Sequence, residues 1–139
     1  MEDTLFSIVN TYALCAWLLI LIFPHADFLQ PVVRIGGIMI LALAYTVVIP
    51  MGFSADSGAD FSSLAGLRAG FSSDWALLAG WIHYLAFDLF VGLWIHEQSR
   101  QIALPRIFRW LCLLCTFMAG PFGLVLFYLF RFIKLRTAS

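Results

Sequence analysis

The chain has 139 residues, 63% of them hydrophobic and 12% charged, with a formal net charge of +0 and a mean hydropathy of +0.95. Soluble domains carry about 25% charged residues, so this composition excludes a self-solvating globular domain and points to a membrane. Zero net charge gives no hint of nucleic-acid binding.

The first apolar run extends from Leu5 to Phe23 behind an acidic start, Met1-Glu2-Asp3. A signal peptide needs positive charge there and a small-residue cleavage site, so the run reads as a retained transmembrane helix. No Ser/Arg-rich transit peptide precedes it. Pro24 to Pro31 reads as a short turn bracketed by prolines, which are poor helix-interior residues. The second run goes from Pro31, suited to a first helical turn, to about Ile49. Arg34 lies one turn in and can snorkel to the headgroups. Pro50-Met51-Gly52 ends the run.

Residues 51–74 form a long polar loop that keeps Phe53, Phe61, Leu64, Leu67 and Phe71 at irregular spacing. The stretch from Asp60 to Arg68 is a candidate short interfacial helix. A loop of this length is either functional, here a lid over the bundle mouth, or a plain connector. The third run is Trp75 to Ile95, with Ser72, Ser73 or Asp74 as its cap. His96 and Glu97 follow at its interfacial exit. The fourth run is roughly Ile107 to Phe130, with Gly120-Pro121 near its middle.

Each run is long enough for a hydrocarbon slab of about 30 Å, and spanning segments must satisfy their backbone groups internally. The expected fold is all-α: an integral membrane four-helix bundle, residues 1–139 forming a single transmembrane domain. Its spans are about 5–23, 31–49, 75–95 and 107–130, with one long loop, 51–74, between spans two and three. An even number of spans puts both termini on one side. Arg68, Arg131, Lys134 and Arg136 then stand against Arg34, Arg100, Arg106 and Arg109, and this balance leaves the orientation open.

Three cysteines, Cys15, Cys112 and Cys115, sit in apolar runs and read as small packing residues. Cys112 and Cys115 make a C-x-x-C by pattern, but no second pair or nearby histidine completes a metal set. No glycine-rich phosphate loop and no His/Cys/Glu set at ligand spacing occurs, so no metal or cofactor is expected.

The third run holds the chemistry. Trp81, His83, Tyr84, Phe87 and Asp88 put a histidine and an aspartate near mid-span, where an ionisable group costs roughly 2.5–3.5 kcal/mol on insertion scales. At 100° per residue, Trp81, Tyr84, Asp88, Gly92 and Ile95 share one stripe, and His83, Phe87, Phe90 and Trp94 share another. His83 and Asp88 point roughly 140° apart and do not easily bond to each other. Either they contact different neighbouring helices, or they flank a ligand lying across the bundle. A carboxyl that keeps its proton in hydrocarbon can donate it, and a neutral imidazole can accept one. The bland alternative is polar glue: Asp88 bonded to Tyr84, Tyr45, Tyr12 or Asn10, and His83 to a hydroxyl such as that of Thr116. In the fourth run Pro121 frees carbonyls about one turn earlier, while Gly120 and Gly123 admit a close backbone or a ligand. A simple proline kink is the alternative.

Three segments carry a resemblance: Phe61-Ser-Ser-Leu-Ala-Gly-Leu67 with Phe71-Ser-Ser73; Trp81-Ile-His83 with Asp88-Leu-Phe90; and Phe117-Met-Ala-Gly-Pro-Phe-Gly123. Together they resemble the abscisic-acid-deficient-4-like family. It comprises small four-helix membrane proteins whose plant members are linked to neoxanthin formation. The resemblance covers nearly the whole chain by span layout and is richest over roughly residues 60–131. It implies an isomerisation in which the epoxide of violaxanthin opens to an allenic alcohol with no net redox change. Such a step needs an acid near the epoxide oxygen and a base near the departing proton. His83 and Asp88 are the catalytic candidates, in either order, and Trp81, Tyr84, Phe87, Gly92, Trp94, Gly120, Pro121 and Gly123 are the ligand-binding ones. Lacking a plastid leader, the chain reads as a bacterial or otherwise unprocessed member, placed in an inner membrane.

The leading expectation is therefore a membrane isomerase or accessory protein of carotenoid or related isoprenoid metabolism. A non-enzymatic alternative binds a carotenoid, pigment or quinone, or assembles a larger membrane complex. A proton carrier through His83 and Asp88 is a third, weakened by the lack of a polar stripe on the other helices. The expected partners are membrane lipid, a carotenoid or other isoprenoid, and further copies of the chain or a larger complex.

Overall fold

The computed structural model describes residues 1–23, 28–52 and 59–137. The expected turn at residues 24–27 and the middle of the expected loop, residues 53–58, lie outside them. Regular structure among the described residues is helical: α1 (Glu2–Ile22), α2 (Leu29–Gly52), α3 (Leu64–Gly70), α4 (Asp74–Gln101), α5 (Arg106–Ala119) and α6 (Pro121–Thr137). Helices α1, α2 and α4 are long and apolar enough to cross a membrane, which makes this an integral membrane protein.

Helix α4 is the axis. Half of its apolar window is buried, against 28% for α1 and 22% for α2, and it packs on α1, α2, α5 and α6. Lipid tails are as apolar as leucine, so these helices associate through close packing rather than through flight from water. Small residues permit it. Gly92 of α4 lies beneath the Trp17 indole, and a Cβ on Gly37 would come within 3.3 Å of both Leu89 and Ala16. Gly52, at the end of α2, meets the Ala76 backbone at the start of α4. Ser73 caps α4, its hydroxyl accepting from the Ala76 N–H at 3.2 Å. Between Val32 and Met39, α2 widens into a π-helical stretch, a form usually confined to a single turn.

The expected fourth span is not one helix. It divides at Gly120 into α5 and α6, which fold back on each other. Gly120 takes φ +31°, a region L side chains rarely adopt, and Pro121 has no N–H with which to continue the α5 ladder. The Gly120 N–H closes α5 on the Thr116 carbonyl at 2.8 Å, and the Gly123 N–H opens α6 on the Gly120 carbonyl at 3.1 Å. Gly123 then packs directly against Thr116 and the Cys112 carbonyl. Further from the turn, Phe108 meets Phe130 with ring centroids 4.7 Å apart, and Leu104 and Pro105 share a slot with Ile133 and Lys134. This succession of pairs defines an antiparallel hairpin. At 1.5 Å per residue its arms are roughly 21 and 25 Å long, each short of the roughly 30 Å hydrocarbon thickness. Its tip meets the middle of α4, and α6 runs back along α4 through Trp94 to Phe127 and Gln98 to Arg131. The four-span bundle is thus replaced by three long helices and a re-entrant hairpin.

The hairpin also redistributes charge. Arg100, Arg106 and Arg109 lie at its base, Arg131, Lys134 and Arg136 return to that end, and Arg34 is fixed there by a 2.9 Å ion pair with Glu97. Seven of the eight Lys and Arg residues therefore share one end, and Arg68 stands at the other. The expected long loop is interrupted by α3. There the Ser63 hydroxyl accepts from Gly66 N–H at 3.0 Å, while Asp60 accepts from Ser62 and Ser63.

If α1, α2 and α4 each cross the membrane and the hairpin turns back, the chain's two described ends lie on opposite faces. Single cysteines introduced at Thr4 and at Leu135 should label from opposite faces of sealed membranes; labelling from the same face would restore a continuous fourth span. The hydrogen bonds from Ser62 and Ser63 hold the Asp60 carboxyl below its ordinary value of 3.8. A depressed carboxyl contributes stability that is full above its unfolded pKa and lost as pH falls through its folded one. Hydrogen exchange at the Gly66 amide should consequently gain an opening contribution below about pH 3.8 that Asp60→Asn abolishes.

Candidate functional site at the hairpin tip

Asp88 sits at the midpoint of α4, only 8% exposed, with Gly120 of the hairpin tip directly on its carboxylate. Its Oδ2 has no hydrogen-bond partner among the described residues. Tyr84 lies one turn earlier on the same stripe of α4. Helical spacing aligns the two, and the absent side chain at Gly120 gives the carboxylate its room.

A cleft of about 410 Å³ lies beside this pair, between α1, α4 and the last turn of α5. Its walls include Asn10, Leu14, Trp81, Tyr84, Phe117 and Met118, and it opens sideways. The size falls within the usual range for small-ligand sites, roughly 300–1,000 Å³. Trp81 Nε1–H donates to Asn10 Oδ1 at 3.1 Å, and Asn10 is itself anchored by an Nδ2 bond to the Phe6 carbonyl at 2.7 Å. The Trp81 ring stacks on Tyr84 with centroids 5.2 Å apart. Tyr84 is part of the cleft wall one helical turn from Asp88, which does not itself line the cleft. The arrangement can hold a flat apolar group against Trp81 and present it with a hydroxyl backed by a buried carboxyl.

The structure brings together Trp81, Tyr84, Asp88 and Gly120 from the sequence-derived set. His83 lies elsewhere: it is exposed and packs against Tyr45 at 5.5 Å and Phe87 at 4.5 Å. Phe87 also faces outward. Gly92 serves the α1 crossing under Trp17, Trp94 packs edge-on against Phe127, and Gly123 seats the hairpin on Thr116. Pro121 starts α6 at the exposed tip.

Asn10 enters as the anchor of Trp81 rather than as a partner of Asp88, and the cleft walls Phe117 and Met118 enter through the hairpin. An amide inside an otherwise apolar span was the available signal for Asn10; nothing local marks the other two. His96, expected at the interface, is buried at 1% exposure.

Because Gly120 combines positive φ with contact on Asp88, Gly120→Ala should cost about 1–3 kcal/mol from backbone strain alone. Gly36→Ala, where a Cβ meets nothing within 4 Å, serves as the control. Thermal unfolding in detergent should separate the two variants; equal midpoints would show that the tip does not press on Asp88.

No curated protein and no solved structure gives a match. The family model described as ABA DEFICIENT 4-like matches residues 4–127, a stretch that includes all but the first two residues of α1, with α2, α4, the hairpin turn and every residue of the cleft. By that match, the chain belongs to the ABA4-like family.

Proposed function

We propose that this protein isomerises an oxygenated isoprenoid, with the epoxide-bearing end ring of a carotenoid as the substrate class that family membership favours. The observation that carries the reading is the convergence of Asn10, Trp81 and Tyr84 on one side-open cleft, with Asp88 buried behind Tyr84. A long apolar molecule enters such a cleft from the bilayer with one end only, and its remainder stays among the lipid tails.

The chemistry follows from the pair. Protonated Asp88 donates through the Tyr84 hydroxyl to the epoxide oxygen as the carbon–oxygen bond breaks. The carboxylate left behind recovers a proton, through the same hydroxyl, from the carbon that becomes part of the new double bond. The oxygen ends as an alcohol, one carbon–hydrogen bond is lost, and Asp88 ends as it began. Trp81 holds the ring, and Asn10 fixes Trp81. His83 lies outside this relay, so the acid and base roles first divided between His83 and Asp88 fall to Asp88 with Tyr84.

The test is conversion of an epoxy-carotenoid in cells or proteoliposomes, followed by absorbance and mass spectrometry. Asp88→Asn and Tyr84→Phe should each lower turnover by roughly 10²–10⁴, the usual contribution of a positioned acid or base, while His83→Ala stays within a few-fold of the parent. Undiminished conversion by both Asp88→Asn and Tyr84→Phe would remove the relay. Recovery of bound but unaltered carotenoid from the parent protein would make it a carrier.

A further inference from the structure

The far end of the hairpin holds a second concentration of chemistry that the isomerase reading does not use. Arg109 lies in the first turn of α5, yet it is only 4% exposed. Its Nε has no hydrogen-bond partner, and no carboxylate lies within 4.0 Å of its guanidinium among the described residues. The charged side chains nearest it along the chain, Arg100 at the end of α4 and Arg106 at the start of α5, carry the same sign. Ser99, next to Arg100, is fully buried, and its hydroxyl also lacks a partner among the described residues.

Buried charge persists in a fold only when it is paired and hydrogen-bonded. Here the chain adds two further arginines near a buried one, together with a buried hydroxyl, and no carboxylate of the described residues pairs with Arg109. Arginine's planar fork fits phosphate by two parallel hydrogen bonds, and serine adds a third donor. We infer that Arg109, Arg100, Arg106 and Ser99 bind a phosphate group, which in the membrane is the headgroup phosphate of an anionic phospholipid.

The surroundings fit that occupant. The same end carries Arg34, Arg131, Lys134 and Arg136, so its field attracts anionic lipid. An apolar slot of about 330 Å³ opens there between the two arms of the hairpin, walled by Leu104, Phe108, Phe130 and Ile133 with Lys134 at its rim. Phe108 immediately precedes Arg109, so one lipid can place its phosphate at the arginines and an acyl chain in the slot. The level is also right, because the α4–α5 connection marks the boundary where headgroups lie.

The experiment is thermal unfolding of the full chain in neutral detergent with added phosphatidylglycerol, phosphatidylcholine or inorganic phosphate. Phosphatidylglycerol should raise the midpoint by roughly 4–8 °C and phosphatidylcholine by much less. Arg109→Gln should lose that increment, and without lipid it should melt no lower than the parent, since it removes an uncompensated buried charge. If Arg109→Gln does not fold, the double variant Arg100→Gln/Arg106→Gln alters exposed side chains and should show a reduced increment. Inorganic phosphate reproducing the full shift would uphold the phosphate site and assign it a soluble ligand. Equal shifts with both lipids, or a full phosphatidylglycerol increment in whichever of these variants folds, would overturn the site. None of these readouts depends on turnover, so they stand apart from the isomerase test.

Discussion

The contact between Gly120 and the Asp88 carboxylate is the one on which the rest of the structure depends. A bilayer core has no water to satisfy a broken helix, so irregular backbone at that depth survives only when it is covered by protein or lines a cavity. The turn at Gly120 and Pro121 meets the midpoint of α4, where such cover is available. That requirement accounts for α4 being the most buried of the long helices. It also explains the hairpin's own surface: Gly123 and Thr116 are small enough for the two arms to touch, and Thr116 settles its hydroxyl on the Cys112 carbonyl at 2.8 Å.

What the sequence made legible was whatever depends on local pattern. The three long helices follow from the lengths of the apolar runs, the α4 cap from Ser73, and the alignment of Trp81, Tyr84 and Asp88 from helical spacing. The reversal at Gly120 was not legible in the same way. Residues 107–130 have the length and composition of a span, and neither quantity encodes a change of direction. A Gly-Pro-x-Gly sequence suits a kink and a hairpin equally, and contacts as distant as Phe108 with Phe130 decide between them. One wrong direction then propagated. It put Arg131, Lys134 and Arg136 on the far side, which made the charge count even and hid the concentration of Lys and Arg at one end.

The site shows the same division. Helical geometry separated His83 from Asp88 correctly, but a helix wheel does not say which stripe faces the interior. Packing makes that choice: the Asp88 stripe receives the hairpin tip and α1, whereas His83 stays exposed beside Tyr45. Asn10 illustrates the converse. Its polarity inside α1 announced a partner, and the partner is Trp81 across the cleft rather than the nearest acid. The carboxyl's Oδ2 has no hydrogen-bond partner among the described residues.

The hairpin joins both ends of the molecule into one mechanical unit. Its base carries Arg109 and is tied to α4 by Gln98 and Arg131 at 3.4 Å and by the edge contact of Trp94 with Phe127. Its tip carries Phe117 and Met118 into the cleft wall and Gly120 onto Asp88. Two arms packed along their length transmit a shift at the base to the tip, because close-packed interiors do not absorb displacement locally. The arginine-rich base and the cleft wall at the tip therefore belong to one packed element. A site built on a re-entrant hairpin is therefore sensitive to the membrane face at its base, whereas a site between continuous spans is sensitive mainly to the helices on either side of it.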